Sequence, residues 1–208
     1  EMRDEPARLE RLAGELRRLL EPRLSGLLDK EQFGRWARTW GSKLLRAPGG
    51  MDLVEVLCRA YESKARKFGQ GWLGLEVLLT EGKDTVARVS DAVSLRMGSI
   101  RCHAKEGDAA GVVEGRLRLL WQLGLVLLER RARDVVNAMM WLEESHVPSE
   151  RKKWGRTELS AALLEMAETL KAVWNEAEAA HRSKAAAAAA AAAKAGDEQK
   201  TEAAAAAA

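Results

Sequence analysis

The residues of this chain best equipped for metal or proton chemistry are three histidines and two cysteines. His103, His146 and His181 are far apart, and none has a second His, a Cys or a carboxylate at a metal-ligand spacing. A zinc site needs donors that converge on one ion, which a sequence announces as paired CxxC or as HExxH on one helix face. Neither pattern occurs. Cys102 and His103 are adjacent, so on a helix their side chains diverge by about 100°. Cys58 and Cys102 fit free thiols in a reducing compartment better than a disulfide framework. Carboxylates are plentiful, but they alternate with Arg and Lys as solvated helix surfaces do, so no acid–base pair stands out. "GQGWLG" at 69–74 has the glycines of a phosphate loop, yet it follows a helix instead of a strand and fails the context that a dinucleotide fold requires. GxSxG is missing as well. The expectation is a protein that is not an enzyme, with no catalytic residues, cofactor or metal.

Two kinds of residue remain that could recognise a partner. Lys64, Arg66 and Lys67 crowd one helix end, where positive charge suits the helix dipole. "RKKWGR" at 151–156 is the strongest basic patch, and it holds Trp154. A basic patch with an aromatic can grip phosphate and stack a base. This one is short and flanked by Glu150 and Glu158, and the formal charge of +3 is mild, so nucleic acid is disfavoured as a partner. Of ten aromatics, seven are Trp, with two Phe and one Tyr. Trp36, Trp40, Trp121 and Trp174 fall on apolar faces and are expected in the core. Trp72 and Trp154 stand beside glycine breaks and are expected at a rim or a partner contact, since Trp is favoured at interface hot spots. The candidate partner-binding residues are Trp72, Trp154, Lys64, Lys67 and Arg151.

The elements that must carry them read as helices. Leu, Ala, Glu, Arg and Lys dominate, prolines stand only at 6, 22, 48 and 148, and strand-like alternation is nearly absent. The first helix runs over 7–20 with Leu9, Leu12, Leu16, Leu19 and Leu20 on one face, and Pro22 ends it or starts a turn. Asp29 caps a second helix with Phe33, Trp36, Trp40, Leu44 and Leu45 inward. "RAPGG" at 46–50 breaks the chain. A third helix follows with Met51, Val54, Leu57, Tyr61, Ala65 and Phe68 on its face, ending at Gly69. A short helix over 72–79 comes next. A longer one covers 84–102, with Val86, Val89, Val93 and Met97 buried. After a polar break at 104–111, one long helix spans 112–140, with a stripe of Leu117, Leu120, Trp121, Gly124, Leu125 and Leu128. The last helix starts at Ser149 or Thr157 and ends near His181, with Leu159, Leu163, Met166, Leu170 and Trp174 apolar. The expected fold is all-α, a bundle of about six to eight helices over 1–183, followed by an Ala-rich tail over 184–208. That tail stays open between a helix-forming or frayed run and a stretch whose side chains were entered as Ala. No run of 18 apolar residues occurs, so no transmembrane helix is expected. No signal peptide is visible, and a start at Glu1 points to a fragment of a longer protein.

"LVEVLCRAYESKARKFGQGWLG" at 53–74 resembles the X domain of DnaJ-type co-chaperones, the region C-terminal to the J domain in one class of these proteins. Tyr61, Lys64, Ala65, Phe68 and Gly69 match its Tyr–Lys–Ala helix and aromatic–Gly stop, without the usual Leu before the Gly. The opening helix pair, "GKDTVARVSDAVSLRMG", "LRLLWQLGLVLLERRARDVVNAM" and "ELSAALLEMAETLKAVW" resemble the family's other helices in order and approximate spacing, over about residues 3–178. The J domain's His-Pro-Asp tripeptide and the Gly-Phe-rich linker are absent. The resemblance therefore implies client or partner binding and no stimulation of a DnaK-class ATPase by this chain itself.

Two functions follow as expectations. The first is a non-catalytic interaction module that binds client or partner proteins, with a DnaK-class chaperone reached through a J domain outside this chain. The second is a structural or scaffold subunit of a large complex, without chaperone activity. The basic and Trp residues named above would anchor the first by groove or face recognition between helices.

Overall fold

A computed structural model describes residues 5–69, 90, 93–94, 96–141 and 154–206, with 192–206 described by backbone only. Among the described residues there are six helices and no strand. They are α1 (Glu5–Leu24), α2 (Lys30–Leu45), α3 (Gly50–Gly69), α4 (described over 96–105), α5 (Ala109–Trp141) and α6 (Arg156–Ala206). The fold is the all-α bundle that the composition implies. The short helix expected over 72–79 lies outside the described residues.

Helix α1 places Ala13, Leu16 and Leu20 in the core at spacings of three and four, and turns Leu12 outward. It does not stop at Pro22. A proline removes one helical donor, here the one owed to the Arg18 carbonyl. The turn beyond is closed by the Ser25 N–H on the Glu21 carbonyl and the Leu28 N–H on the Pro22 carbonyl, both at 2.8 Å.

Asp29 caps α2 reciprocally. Its carboxylate accepts the Gln32 N–H at 2.8 Å, and the Gln32 side-chain oxygen accepts the Asp29 N–H at 3.0 Å. A cap of this kind stabilises by about 1 kcal/mol. Phe33 and Ala37 are buried, and Gly41 lets α2 approach α6 so closely that an added Cβ would lie 2.8 Å from Leu170 Cδ2. Trp36 and Trp40 are half-buried against this core, with Trp36 stacked on Phe33 at 5.5 Å between centroids.

Helix α3 is the hub, packed on α6, α5 and α2. It buries Val54, Val56, Cys58, Ala60, Tyr61, Lys64 and Ala65, a face wider than the expected stripe. Helix α4 buries Ile100 and leaves Met97 exposed, which reverses the expected inward position of Met97. Gly115 of α5 explains the choice: an added Cβ there would lie 2.7 Å from Ile100 Cγ1, so Ile100 occupies the space a side chain would need. The polar break before α5 turns at Gly107, with φ +73°, and Asp108 caps the new helix by accepting the Gly111 N–H at 2.9 Å.

Helix α6 completes the core with Leu159, Leu163, Met166 and Leu170, all buried. Each contributes about 1.5–3 kcal/mol of apolar burial. Arg23 of α1 holds Glu165 of α6 through two bonds of 2.8 and 3.1 Å. The helix continues past His181, because the alanines that follow have the highest helix propensity of any residue.

Candidate functional site

The five residues singled out in the sequence do not come together as a described surface. Trp72 and Arg151 lie outside the described residues. Trp154 is only 5% exposed and belongs to the core cluster, with the Arg17 guanidinium 5.4 Å from its ring centroid. The indole is thus enclosed, and the rim position expected for it is not where the structure places it. Lys64 is buried on α3, and Lys67 is half-buried, its ammonium 5.8 Å from the Phe68 centroid. Arg66 of the same cluster pairs with Glu62 one turn back.

The open apolar surface lies instead on the first half of α5. Val113, Leu117, Leu120 and Leu127 are 56%, 62%, 65% and 64% exposed. Their spacing of four, three and seven, with Gly124 filling the gap, draws one line along the helix. Scattered exposed leucines are ordinary, whereas a continuous line of them is a feature of its own. The second half of α5 behaves differently: Ala132, Val136, Met139 and Met140 are buried against α1 and α3. One helix is therefore half core and half surface.

Two contacts among the described residues help to place the exposed half. Ile100 presses on Gly115, as described above. Trp121, expected in the core, is 43% exposed and acts as a hook. Its Nε1–H donates to Asp52 Oδ2 at 2.6 Å, at the first turn of α3. Its ring lies over Gly49, where an added Cβ would approach Cζ2 to 2.4 Å. Gly49 has φ +69°, so the loop needs a glycine there both for its backbone and for the indole.

Where the exposed half meets the core, Glu129 is buried and its carboxylate meets Arg133 at 2.6 Å and Arg59 at 3.6 Å. Arg59 also holds Glu55 at 2.6 Å. This charged knot anchors α5 to α3, since a buried carboxylate is tolerated only with cations around it. It was missed in the sequence because Glu129 stands among arginines like any surface residue. The exposed line had a signal in its three-and-four spacing, although nothing in that spacing says whether the line faces in or out.

No group of three or more His, Cys, Asp or Glu is placed to hold a metal ion among the described residues. Cys58 is buried, and burial pushes its thiol up to about 12, far from a reactive thiolate. No helix among the described residues is long and apolar enough to cross a membrane. No family model matches the chain, and no curated protein or solved structure does.

Proposed function

We propose that this chain is a non-catalytic protein-interaction module, similar to the X domain of DnaJ-type co-chaperones, that binds a client or partner protein. The observation that carries the reading is the apolar line along the first half of α5. Four aliphatic side chains in one row, each a little over half exposed, leave about 1–2 kcal/mol apiece that a partner's apolar face would recover. The ordered likeness of the helical segments to that family supports the narrower assignment. Lys64 and Lys67, expected as partner contacts, leave this role to α5, because one is buried and the other half-buried.

The test is a parallel affinity purification of the full chain and of a Leu117→Ser, Leu120→Ser variant, at low and high salt, with mass spectrometry of the companions. A companion that survives high salt with the native chain and disappears with the variant is expected. A DnaK-class chaperone among such companions supports the co-chaperone reading. One stoichiometric complex without a chaperone supports a scaffold subunit. Identical companions for both chains would refute binding through α5.

A further inference from the structure

The exposed line on α5 has the spacing of a coiled-coil seam, and the charges beside it select what can lie there. Written as heptads, Val113, Leu117, Leu120, Gly124 and Leu127 occupy successive seam positions, and Arg131 continues the row. One flank carries Arg116, Leu123 and Arg130, seven residues apart. Arg116 and Arg130 are exposed, and neither has a hydrogen bond or ion pair among the described residues. Along a helix they stand about 21 Å apart. The opposite flank carries Glu114, Trp121 and Leu128; Glu114 is already paired with Arg118, and Trp121 with Asp52.

This pattern disfavours a second copy of the chain. An antiparallel pair of α5 helices matches each flank with itself and brings Arg116 of one copy against Arg130 of the other. A parallel pair brings Arg131, which is held by Glu5, towards its own copy in the seam and leaves Gly124 facing Gly124 with nothing to fill the gap. Like charges at these positions act against pairing, as flanking charges do in coiled coils generally. A partner with carboxylates on the matching flank meets both arginines and gains where a second copy loses.

We propose that the first half of α5 docks an amphipathic helix of a partner protein whose aliphatic side chains cover Val113, Leu117, Leu120 and Leu127 and whose carboxylates face Arg116 and Arg130. This rests on the interaction reading above and adds to it the chemistry of the partner. Apolar contact supplies most of the affinity. The two charge pairs choose the partner, because surface pairs are worth about two- to fivefold each, about tenfold together, and are screened by salt.

The test uses the full chain and three fluorescent stapled helical peptides. All carry Leu at their seam positions, and they differ only in having Glu, Gln or Lys at the flanking positions. Fluorescence anisotropy at low salt is expected to rank them Glu, Gln, Lys, with Glu about tenfold tighter than Gln. An Arg116→Glu, Arg130→Glu variant, checked by circular dichroism for unchanged helix content, is expected to invert the order. At 0.5 M salt the difference between peptides is expected to shrink to about twofold. Equal binding of the Glu and Gln peptides would overturn the acidic partner and leave the interaction reading standing. Binding of none of the three would overturn the docking site itself. Two controls bear on other occupants. In a Cys102→Ser background, a Leu120→Cys thiol is expected to react with maleimide as fast as in a free peptide. Protection of that thiol in the isolated chain would overturn the proposal, since the face would already be covered. Sedimentation is expected to give a monomer; a dimer that Leu120→Asp dissolves would overturn it in favour of a second copy.

Discussion

Gly49→Ala tests the hook that holds the exposed half of α5. Two penalties add at this position. An L-residue at φ +69° costs about 1–2 kcal/mol. The new Cβ would also sit 2.4 Å from Trp121 Cζ2, inside contact distance of a rigid ring, and overpacking of this kind costs about 1–3 kcal/mol. Loss of glycine's freedom in the unfolded chain returns about 0.4–1 kcal/mol. The net expectation is a destabilisation of about 2–3 kcal/mol in the native background. In a Trp121→Ala background the clash is gone and only strain remains, so the same substitution is expected to cost about 1 kcal/mol or less. The cycle therefore predicts a coupling of about 1–2 kcal/mol between two residues 72 positions apart in sequence. Urea denaturation followed by far-UV circular dichroism measures all four proteins, with the slope checked for constancy so that midpoint shifts report stability alone. An equal cost of Gly49→Ala in both backgrounds would refute the contact. The glycine would then serve its backbone and nothing else, and the Asp52 bond alone would tie Trp121 to α3.

Other outcomes follow from the same structure. Leu163→Ala in the core of α6 is expected to cost about 2–5 kcal/mol, whereas Leu120→Ala on the open line is expected to stay within about 0.5 kcal/mol; the same urea titrations compare them. The Asp108 carboxyl lies below the usual carboxylate range, chiefly because it accepts the Gly111 N–H and then because of His103 beside it. A depressed value of this kind contributes stability above the unfolded pKa of about 3.9 and loses it as pH falls through the folded one. Asp108→Asn keeps a good cap and is expected to flatten the acid limb of a stability–pH profile below about pH 4 while leaving neutral pH nearly unchanged. Burial pushes both Cys58 and Tyr61 up to about 12. Their neutral forms therefore favour the fold below the unfolded values, and that contribution fades as pH rises from about 9 towards 12. In an alkylation assay at pH 8, exposed Cys102 is expected to react at once and Cys58 only after unfolding; equal rates would place Cys58 at the surface.

The helices were legible because their signals are local. Asp29 with Gln32 three residues on writes a capping box into the sequence, and the Leu159–Leu163–Met166–Leu170 spacing writes a buried face. The position of each helix relative to the others is not local, and there the sequence misled. Trp121 and Trp154 exchanged the roles expected of them. Trp154 stands beside a glycine and among basic residues, which reads as surface, yet Arg17 from another helix covers it. Trp121 sits in an apolar run, which reads as core, yet that run lies on a stretch of α5 past the edge of the bundle's packed interior. Periodicity identifies a face and is silent on whether anything covers it. Pro22 is a related case: a proline near a helix end interrupts one bond, and the last turn closes through its neighbours.

The division of α5 into a packed half and an open half has a consequence for how the helix breathes. Local opening is governed by the burial that must be given up, and it ranges from nearly free at unsupported ends to the full unfolding free energy in the core. Amides beyond Glu129 lie beside buried Val136, Met139 and Met140 and are expected to be the better protected from exchange. Amides between Val113 and Leu127 lie on a stretch with fewer buried side chains, so they are expected to exchange through cheaper local fluctuations. A ligand that clamps the open half abolishes that difference. Its binding would then appear as a slow-exchanging segment that grows toward the N-terminus of α5, with no change in the average shape of the molecule.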